Sequence, residues 1–263
     1  MEKPLFMEEI ADDGVAWVVL TRPEVHNAFN DRLIDELTTA LHGIGTDDRV
    51  HVVVLSSKGR SFSAGADLNW MLRMSRNTEA ENLEDARALA RLMQTLDTLP
   101  KPTIALVQGA AIGGGVGLVA CCDIAVAAET ASFCLSEVKL GLIPAVIGPY
   151  VVAAIGERAA RRYFLTAETF SAKQALDLGL IHEVVPDEAF EDAGRRIIRA
   201  LMKGGANAHA AAKDLVRAIA QRPRDDDLIE DTAVRIARLR ASDEAREGIA
   251  AFLEKRKPGW LRD

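Results

Sequence analysis

The chain of 263 residues is 49% hydrophobic and 27% charged, which predicts one large folded domain or one domain with a small appendage. A formal net charge of −7 argues against nucleic-acid binding, which needs a basic surface to neutralise phosphates. The acidic N-terminal segment and the lack of any apolar run of about 20 residues argue against a signal peptide and a membrane span, so we expect a cytoplasmic protein.

The first part of the chain alternates between strand and helix patterns. Short runs rich in β-branched residues predict strands over 15–20 and 50–55. Between them, Asn30 or Asp31 is expected to cap a helix whose apolar residues recur at helical spacing and which ends near Gly45. The opening is therefore predicted to run strand, helix, strand.

The remaining patterns continue this alternation and then become helical. Helices are predicted over about 79–99, 145–155, 157–165 and 171–178, and strands over 104–107, 124–127, 132–135 and 181–185. Beyond Asp187 we expect three helices, including a long one over about 226–256. An α/β body of stacked strand–helix turns, followed by a helical region, is the predicted architecture.

Two glycine-containing segments stand between a predicted strand and a helix-compatible run: SFSAGADL at 61–68 and AIGGGVGL at 111–118. The start of a helix carries unpaired amides and a positive dipole end, so two facing starts could bind a developing oxyanion. Either segment alone is more often a simple turn. The second segment does not match a dinucleotide-binding loop, because Leu118 stands where GxGxxG requires its third glycine.

The order and spacing of several motifs resemble the crotonase (enoyl-CoA hydratase/isomerase) superfamily over essentially the whole chain. The motifs are RP and HNA at 22–28, SFSAGADL, GGG followed by CD, SFCLSEVKLGLIP and the C-terminal AFLEKRKPGW. The resemblance implies an α/β crotonase fold, a superhelix of ββα turns over residues 1–200. A helical region over 201–263 is then expected to assemble a homotrimer or a dimer of trimers.

The same resemblance assigns an oxyanion hole to the backbone amides of Ala66 and Gly114. One donor of this kind typically contributes about 2.7–4 kcal/mol of transition-state stabilisation. The substrate would be an acyl-CoA thioester, and no separate cofactor is expected. The five histidines are scattered singly, without metal-ligand spacing, so no metal site is expected.

The acid–base residues depart from the family pattern. Hydratases of the family carry one glutamate two residues after the GGG run and a second twenty residues later. Here Gly117 occupies the first place and Glu137 the second, so the water-activating carboxylate is missing. Glu137 is the expected proton carrier; its alternative interpretation is a surface carboxylate paired with Lys139.

The segments IGGGVGLVACCDIAVAAE, FCLSEVKLGLIPAVIGPYV and ARRYFLTAE resemble bacterial hydratases of methylglutaconyl-CoA and related branched glutaconyl-CoA thioesters, which serve leucine and acyclic-terpene breakdown. Candidates to meet the second carboxylate of such a substrate are Arg73, Arg76, Lys139 and Tyr150. Two alternatives stay open: a single-glutamate enoyl-CoA isomerase, and a non-catalytic relative that binds CoA or RNA.

Contacts with the CoA arm also follow from the resemblance. Backbone groups near four residues are expected to meet adenine and pantetheine: Asn27, Ala28, Ala64 and Asp67. Arg22 is expected at the phosphates, and Gly117 and Tyr150 at the acyl group. Phe252 and Lys255 match a C-terminal element that reaches CoA, often from a neighbouring subunit; alternatively, Phe252 is a core residue and Lys255 is solvated.

Overall fold

The computed structural model describes residues 4–261, which form ten β-strands, ten α-helices and three short 3-10 turns. The strands are β1 (Phe6–Ile10), β2 (Val15–Leu20), β3 (Val52–Ser57), β4 (Ser61–Ser63), β5 (Thr103–Val107), β6 (Ala110–Ile112), β7 (Ile124–Ala128), β8 (Ser132–Cys134), β9 (Phe170–Ser171) and β10 (Glu183–Val185). The helices are α1 (Asp31–Thr46), α2 (Leu68–Met74), α3 (Glu79–Asp97), α4 (Gly114–Cys121), α5 (Gly148–Thr166), α6 (Ala172–Leu178), α7 (Phe190–Leu201), α8 (Ala206–Ile219), α9 (Asp226–Arg240) and α10 (Asp243–Leu253).

The strands form two sheets that the chain visits in turn. A six-stranded sheet has the order β1-β2-β3-β5-β7-β10, and a four-stranded sheet has the order β4-β6-β8-β9. Apart from β1 and β9, which are antiparallel to their neighbours, all pairs are parallel. Because β3, β5 and β7 are each followed by a strand of the smaller sheet and then by a helix, the body consists of stacked ββα turns, as predicted.

Apolar side chains cover both faces of the larger sheet, which explains its near-continuous β-branched strands. One face packs with α1, α3, α4 and α5 in the main core, and α7 covers the other through Ala193 and Ile198. Helix α1 begins where predicted, because the side chain of Asn30 accepts a hydrogen bond from the amide of Leu33 at 2.8 Å. All three cysteines are free and buried.

The C-terminal helices differ from the prediction. The chain after Asp187 forms four helices, not three, and the long helix predicted over 226–256 is wrong because the chain breaks between α9 and α10. Ser242 caps α10, with its hydroxyl accepting from the amide of Ala245 at 3.2 Å and donating to the carbonyl of Leu239. By contrast, the break predicted at Gly156 is confirmed: α5 consists of two helical segments that meet at a kink, where Gly156 has non-helical angles (φ 75°, ψ 158°).

The helical region is attached to the body through α8, where Lys213 pairs with Asp123 at 2.8 Å. Helices α8, α9 and α10 pack on one another. The predicted boundary at residue 200 falls at the end of α7, and the outermost residues of both predicted regions lie outside the described range. No helix within residues 4–261 is long and apolar enough to cross a membrane.

Candidate active site

The two glycine segments meet at one edge of the smaller sheet. SFSAGADL contains β4 and enters α2, whereas AIGGGVGL contains the end of β6 and enters α4. Strands β4 and β6 are parallel neighbours, so their carboxyl ends lie side by side. A Cβ atom built on Gly65 would lie only 2.9 Å from the carbonyl oxygen of Ile112, which means that the two segments pack backbone against backbone.

The amide of Ala66 is free, because the single β-bridge to Phe29 uses the residues on either side of it. The Phe29 amide donates to the Gly65 carbonyl at 2.6 Å, and the Asp67 amide donates to the Phe29 carbonyl at 2.7 Å. Because successive amides of an extended chain point in opposite directions, the amide between them faces away from Phe29. No hydrogen bond among the described residues uses it.

Gly114 supplies the second free amide as the first residue of α4, where no carbonyl four residues earlier is available. The preceding residue, Gly113, has a φ of 51° and donates its amide to the carbonyl of Cys134 at 2.9 Å. The ring of Phe29 lies 3.0 Å from the position that a Cβ atom on Gly114 would take. Phe29 therefore touches both amide-bearing segments, and sequence reasoning missed it.

Glu137 lies against the second segment. It opens the 3-10 turn Glu137–Leu140 after β8, and its Oε1 is 3.0 Å from the position of a Cβ atom on Gly113. Its Oε2 is buried and has no hydrogen-bond partner among the described residues. Burial raises the pKa of the carboxyl, and a hydrogen bond from its own amide opposes that shift only in part. A carboxyl in this state is suited to exchange a proton with a ligand.

The alternative interpretation of Glu137, a surface carboxylate paired with Lys139, is wrong. Lys139 is exposed, and the ion pairs of the described chain do not join the two residues. Within residues 4–261, no group of three or more His, Cys, Asp or Glu side chains is placed to hold a metal ion.

The place of the missing carboxylate is filled by an apolar side chain. A Cβ atom on Gly117 would lie 2.2 Å from Cγ2 of Ile147 and 3.3 Å from Cε of Met93. Ile147 and Met93 are buried in the main core. The contact between Gly117 and Ile147 joins residues thirty positions apart, and sequence reasoning did not find it.

The residues predicted to meet the CoA arm form the frame around Ala66. Asn27 is fully buried, and its side chain accepts from the Arg22 amide and donates to the carbonyls of Lys58 and Ser61. The Arg22 guanidinium donates to the Ala28 carbonyl and pairs with Asp67 at 3.0 Å. These groups hold the loop in place, and their contacts with CoA stay predictions.

Asp67 caps α2 directly after Ala66, accepting from the amides of Asn69 and Trp70. Burial alone would raise the pKa of its carboxyl. The hydrogen bonds from those two amides and from Arg22 together have the larger effect and hold the pKa below its ordinary value. Ala64, also predicted near CoA, is partly buried and donates its amide to the carbonyl of His26 at 2.9 Å.

The four candidates for a distal carboxylate lie in different surroundings. Arg73 pairs with Asp31 at 2.8 Å on the surface, and Arg76 and Lys139 are exposed. Tyr150 is partly buried on α5; burial, with the negative charge of Asp97, raises the pKa of its hydroxyl. The geometry does not single out one of the four.

Phe252 and Lys255 lie at the end of α10. The interpretation of Phe252 as a core residue is wrong, because its side chain is 81% exposed. Lys255 is also exposed and has a φ of 56°. Since α10 packs on α8 and α9, these residues lie on the surface of the helical region of the chain.

Stacked ββα turns that bring two free amides beside a buried carboxyl define an enzyme with the crotonase fold. A family model described as enoyl-CoA hydratase/isomerase matches residues 11–263. The chain therefore belongs to the enoyl-CoA hydratase/isomerase family.

Similar proteins include both reaction types. A crystal structure of an enoyl-CoA hydratase from Shewanella pealeana is 47% identical, with a TM-score of 0.95 and coverage of 98% of this chain and 96% of that one. The 2,3-dehydroadipyl-CoA hydratase of Escherichia coli is 33% identical over 94% of each chain. The trans-2-decenoyl-[acyl-carrier-protein] isomerase of Streptococcus mutans is 30% identical, also over 94% of each chain. Family membership alone therefore does not separate hydration from isomerisation.

Proposed function

We propose that the chain hydrates an α,β-unsaturated acyl-CoA thioester, with Ala66 and Gly114 holding the thioester oxygen and Glu137 carrying the proton. The observation that carries this proposal is the buried carboxyl of Glu137, which lies against Gly113, the residue directly before the Gly114 amide. Two amide donors next to an acid of raised pKa suit a reaction that passes through an enolate.

The proposed steps consume one water molecule. The ionised Glu137 accepts a proton from water as the water oxygen bonds to Cβ of the substrate, and the electrons of the double bond move onto the thioester oxygen. The amides of Ala66 and Gly114 stabilise that enolate. Glu137 then returns the proton to Cα on the same face, which gives a 3-hydroxyacyl-CoA by syn addition and restores the carboxylate.

The proposed substrate is 3-methylglutaconyl-CoA or a related branched glutaconyl-CoA thioester, as the sequence resemblance implies. The name of the Escherichia coli relative supports a thioester with a second carboxylate. Arg76 and Lys139 are the cations proposed to meet that group, since both are exposed and the ion pairs of the described chain leave them out.

A double-bond isomerase is the second candidate, and Ile147 is the observation that favours it. With no room for a carboxylate at Gly117, Glu137 could remove a proton from Cα of a 3-enoyl-CoA and deliver it to Cγ. The electron pair would pass through the same enolate, and no water would be consumed. The Streptococcus mutans relative is named for such an activity.

Labelled water separates the two reactions. The purified protein is incubated with 3-methylglutaconyl-CoA in heavy-oxygen water, and separately with a 3-enoyl-CoA, and the products are analysed by mass spectrometry. We expect a 3-hydroxy product that carries one heavy oxygen. If the first incubation gives no labelled product and the second converts the 3-enoyl-CoA to its 2-enoyl isomer, the protein is an isomerase. If neither thioester is converted, the non-catalytic alternative becomes the better one.

We also propose that the chain assembles as a homotrimer or a dimer of trimers. Support comes from large apolar side chains that the helical region exposes: Ile229, Ile236, Ile249, Phe252 and Leu253. Exposed apolar surface of this extent commonly marks an interface. In such an assembly, Phe252 and Lys255 would be free to reach the acyl-CoA of a neighbouring subunit.

A further inference from the structure

Gly117 and Ile147 form a matched pair beside the proposed proton carrier. We infer that Ile147 is a specificity-determining residue: it closes the position from which a second carboxylate would activate water, and it thereby leaves proton transfer to Glu137. This inference rests on the proposed acyl-CoA chemistry and concerns the choice between hydration and isomerisation at the same site.

Steric exclusion at Gly117 is severe, because a Cβ atom there would approach Cγ2 of Ile147 to 2.2 Å and Cβ of Ile147 to 2.9 Å. Real Cβ atoms do not approach other heavy atoms so closely, so any side chain at residue 117 requires Ile147 to move. Rotation about the Cα–Cβ bond would move Cγ2, but Cβ is bonded directly to the backbone and stays at 2.9 Å, so side-chain rotation alone cannot relieve the clash.

The backbone of Ile147 is itself held in place. Its carbonyl accepts from the amides of Tyr150 and Val151, both at 3.1 Å, in the first turn of α5. Ile147 is 2% exposed, and Val151 and Met93 are fully buried. A close-packed interior of this kind absorbs small volume changes poorly.

Position 117 lies one helical turn from the residue that contacts Glu137. The amide of Gly117 donates to the carbonyl of Gly113 at 3.2 Å, so the two positions are stacked along one face of α4. The Glu137 carboxyl lies against the Cβ position of Gly113, at 3.0 Å, and Ile147 overlaps that of Gly117, at 2.2 Å. The surface at position 117 is therefore apolar, and a water molecule held there would lack the several polar partners that an ordered water needs, so Glu137 is left as the group that activates water.

The experiment compares four proteins: the natural chain, Ile147→Ala, Gly117→Glu and the double variant. Hydration of a 2-enoyl-CoA, isomerisation of a 3-enoyl-CoA, the pH dependence of kcat/KM and thermal unfolding are measured for each. We expect Gly117→Glu alone to lower Tm sharply and the double variant to recover part of that loss, because the two positions share one space.

The double variant should also change the chemistry. Since a positioned acid or base contributes roughly 100-fold or more, we expect its ratio of hydration to isomerisation to rise by at least about tenfold. The pH profile of its kcat/KM should gain a second carboxyl ionisation. Ile147→Ala alone should raise the ratio severalfold, since the space it opens beside Gly117 admits additional water to the side of the site that Ile147 closes in the natural chain. This comparison tests the inference even if the double variant does not fold.

Ile155→Ala is the matched control, because Ile155 is buried on α5 in the same core, whereas the atoms nearest to a Cβ on Gly117 belong to Ile147 and Met93. It should lower Tm without changing the reaction ratio or the pH profile. The inference is overturned if the effects of Gly117→Glu and Ile147→Ala on Tm simply add, or if every variant keeps the natural reaction ratio. The unfolding measurements need no substrate, so coupled Tm effects in a protein that converts no acyl-CoA would instead overturn the proposed function.

Discussion

Burial of the Glu137 carboxyl raises its pKa, and the described residues give its Oε2 no hydrogen-bond donor. An ordinary surface glutamate is ionised at neutral pH and rarely returns a proton to carbon. A carboxyl whose neutral form is favoured by its surroundings can both take and return a proton near the working pH. Leaving a buried oxygen unpaired costs stability, which is consistent with a role in binding or chemistry.

Replacing Glu137 with glutamine tests that role at nearly constant shape. We expect turnover of the acyl-CoA substrate to fall roughly 100- to 10,000-fold, because glutamine cannot transfer the proton. Steady-state kinetics on the purified variant measure the loss. Glu129→Gln is the control, since Glu129 is exposed, and it should keep natural activity. Unchanged turnover in Glu137→Gln would favour the non-catalytic alternative.

We also expect Glu137→Gln to make the folded protein more stable than the natural chain, by an amount that depends on pH. Because the pKa of Glu137 is raised in the folded protein, the folded state holds the proton more tightly than the unfolded chain does. The natural protein therefore loses stability as pH rises from the ordinary carboxyl range through the raised pKa, whereas the glutamine variant does not. Chemical denaturation at a series of pH values should show a difference in unfolding free energy that grows across this window and is constant above it.

At the scale of secondary-structure elements, the site depends on how closely two strand ends approach. Gly65 has a φ of 81°, and the Ile112 carbonyl oxygen lies 2.9 Å from the position of a Cβ atom on Gly65, too close for a side chain. Backbone atoms on both sides of this contact leave no flexible group to move. The position of the Ala66 amide is thus set by the residue before it.

Gly65→Ala should consequently lower both stability and activity. The left-handed conformation alone costs about 1–2 kcal/mol for alanine, and the clash with Ile112 adds to it. Gly43→Ala in α1 is the matched control, because a Cβ atom there meets nothing within 4 Å. That change should raise the unfolding free energy by roughly 0.5–1 kcal/mol and leave activity intact. Equal effects of the two substitutions on activity would contradict the assigned geometry.

Elements with a buried, periodic face could be predicted from the sequence. Strand β2 was predicted with its observed bounds, and α1 and α3 within a few residues. The edge strand β1, and α2, in which Leu68 is 81% exposed, escaped prediction because most of their side chains face solvent. Strands β4, β6 and β9 escaped because two or three residues are too few to show a pattern. The break before α10 also escaped, since neither glycine nor proline marks it and a serine cap ends the pattern.

Only those site residues that lie in recognisable sequence motifs could be predicted. Ala66, Gly114 and Glu137 follow from local segments and their resemblance to a family. Phe29 and Ile147 act through contacts between distant parts of the chain, which no spacing rule describes. Residues such as Asn27 were assigned to the ligand from sequence, whereas the hydrogen bonds of its side chain hold the frame of the site.

At the scale of the whole molecule, the helical region displays apolar side chains that the body does not cover. Phe252 and Leu253 are 81% and 73% exposed at the end of α10. Burying such residues contributes roughly 1.5–3 kcal/mol each. A chain that leaves several of them exposed is therefore expected to pair them with copies of itself.

Phe252→Asp tests this assembly. We expect light scattering after size-exclusion chromatography to give a smaller assembly than for the natural chain, because a charge at the interface opposes its burial. The KM for acyl-CoA should rise if the residue also reaches a neighbouring site. Leu176→Asp, at an exposed position of α6, is the control and should leave the mass unchanged. A natural chain that elutes as a monomer would refute the proposed trimer.

The contact between Gly117 and Ile147 also restricts how this protein and a sequence with glutamate at position 117 could be reached from one another by single substitutions. A glutamate cannot enter position 117 while Ile147 stands there, and shrinking Ile147 first opens a cavity in the core, a change that typically costs about 2–5 kcal/mol. Each single step passes through a less stable protein, so the two positions are epistatic. Reaction type in this lineage is therefore expected to be inherited as a coupled pair of residues.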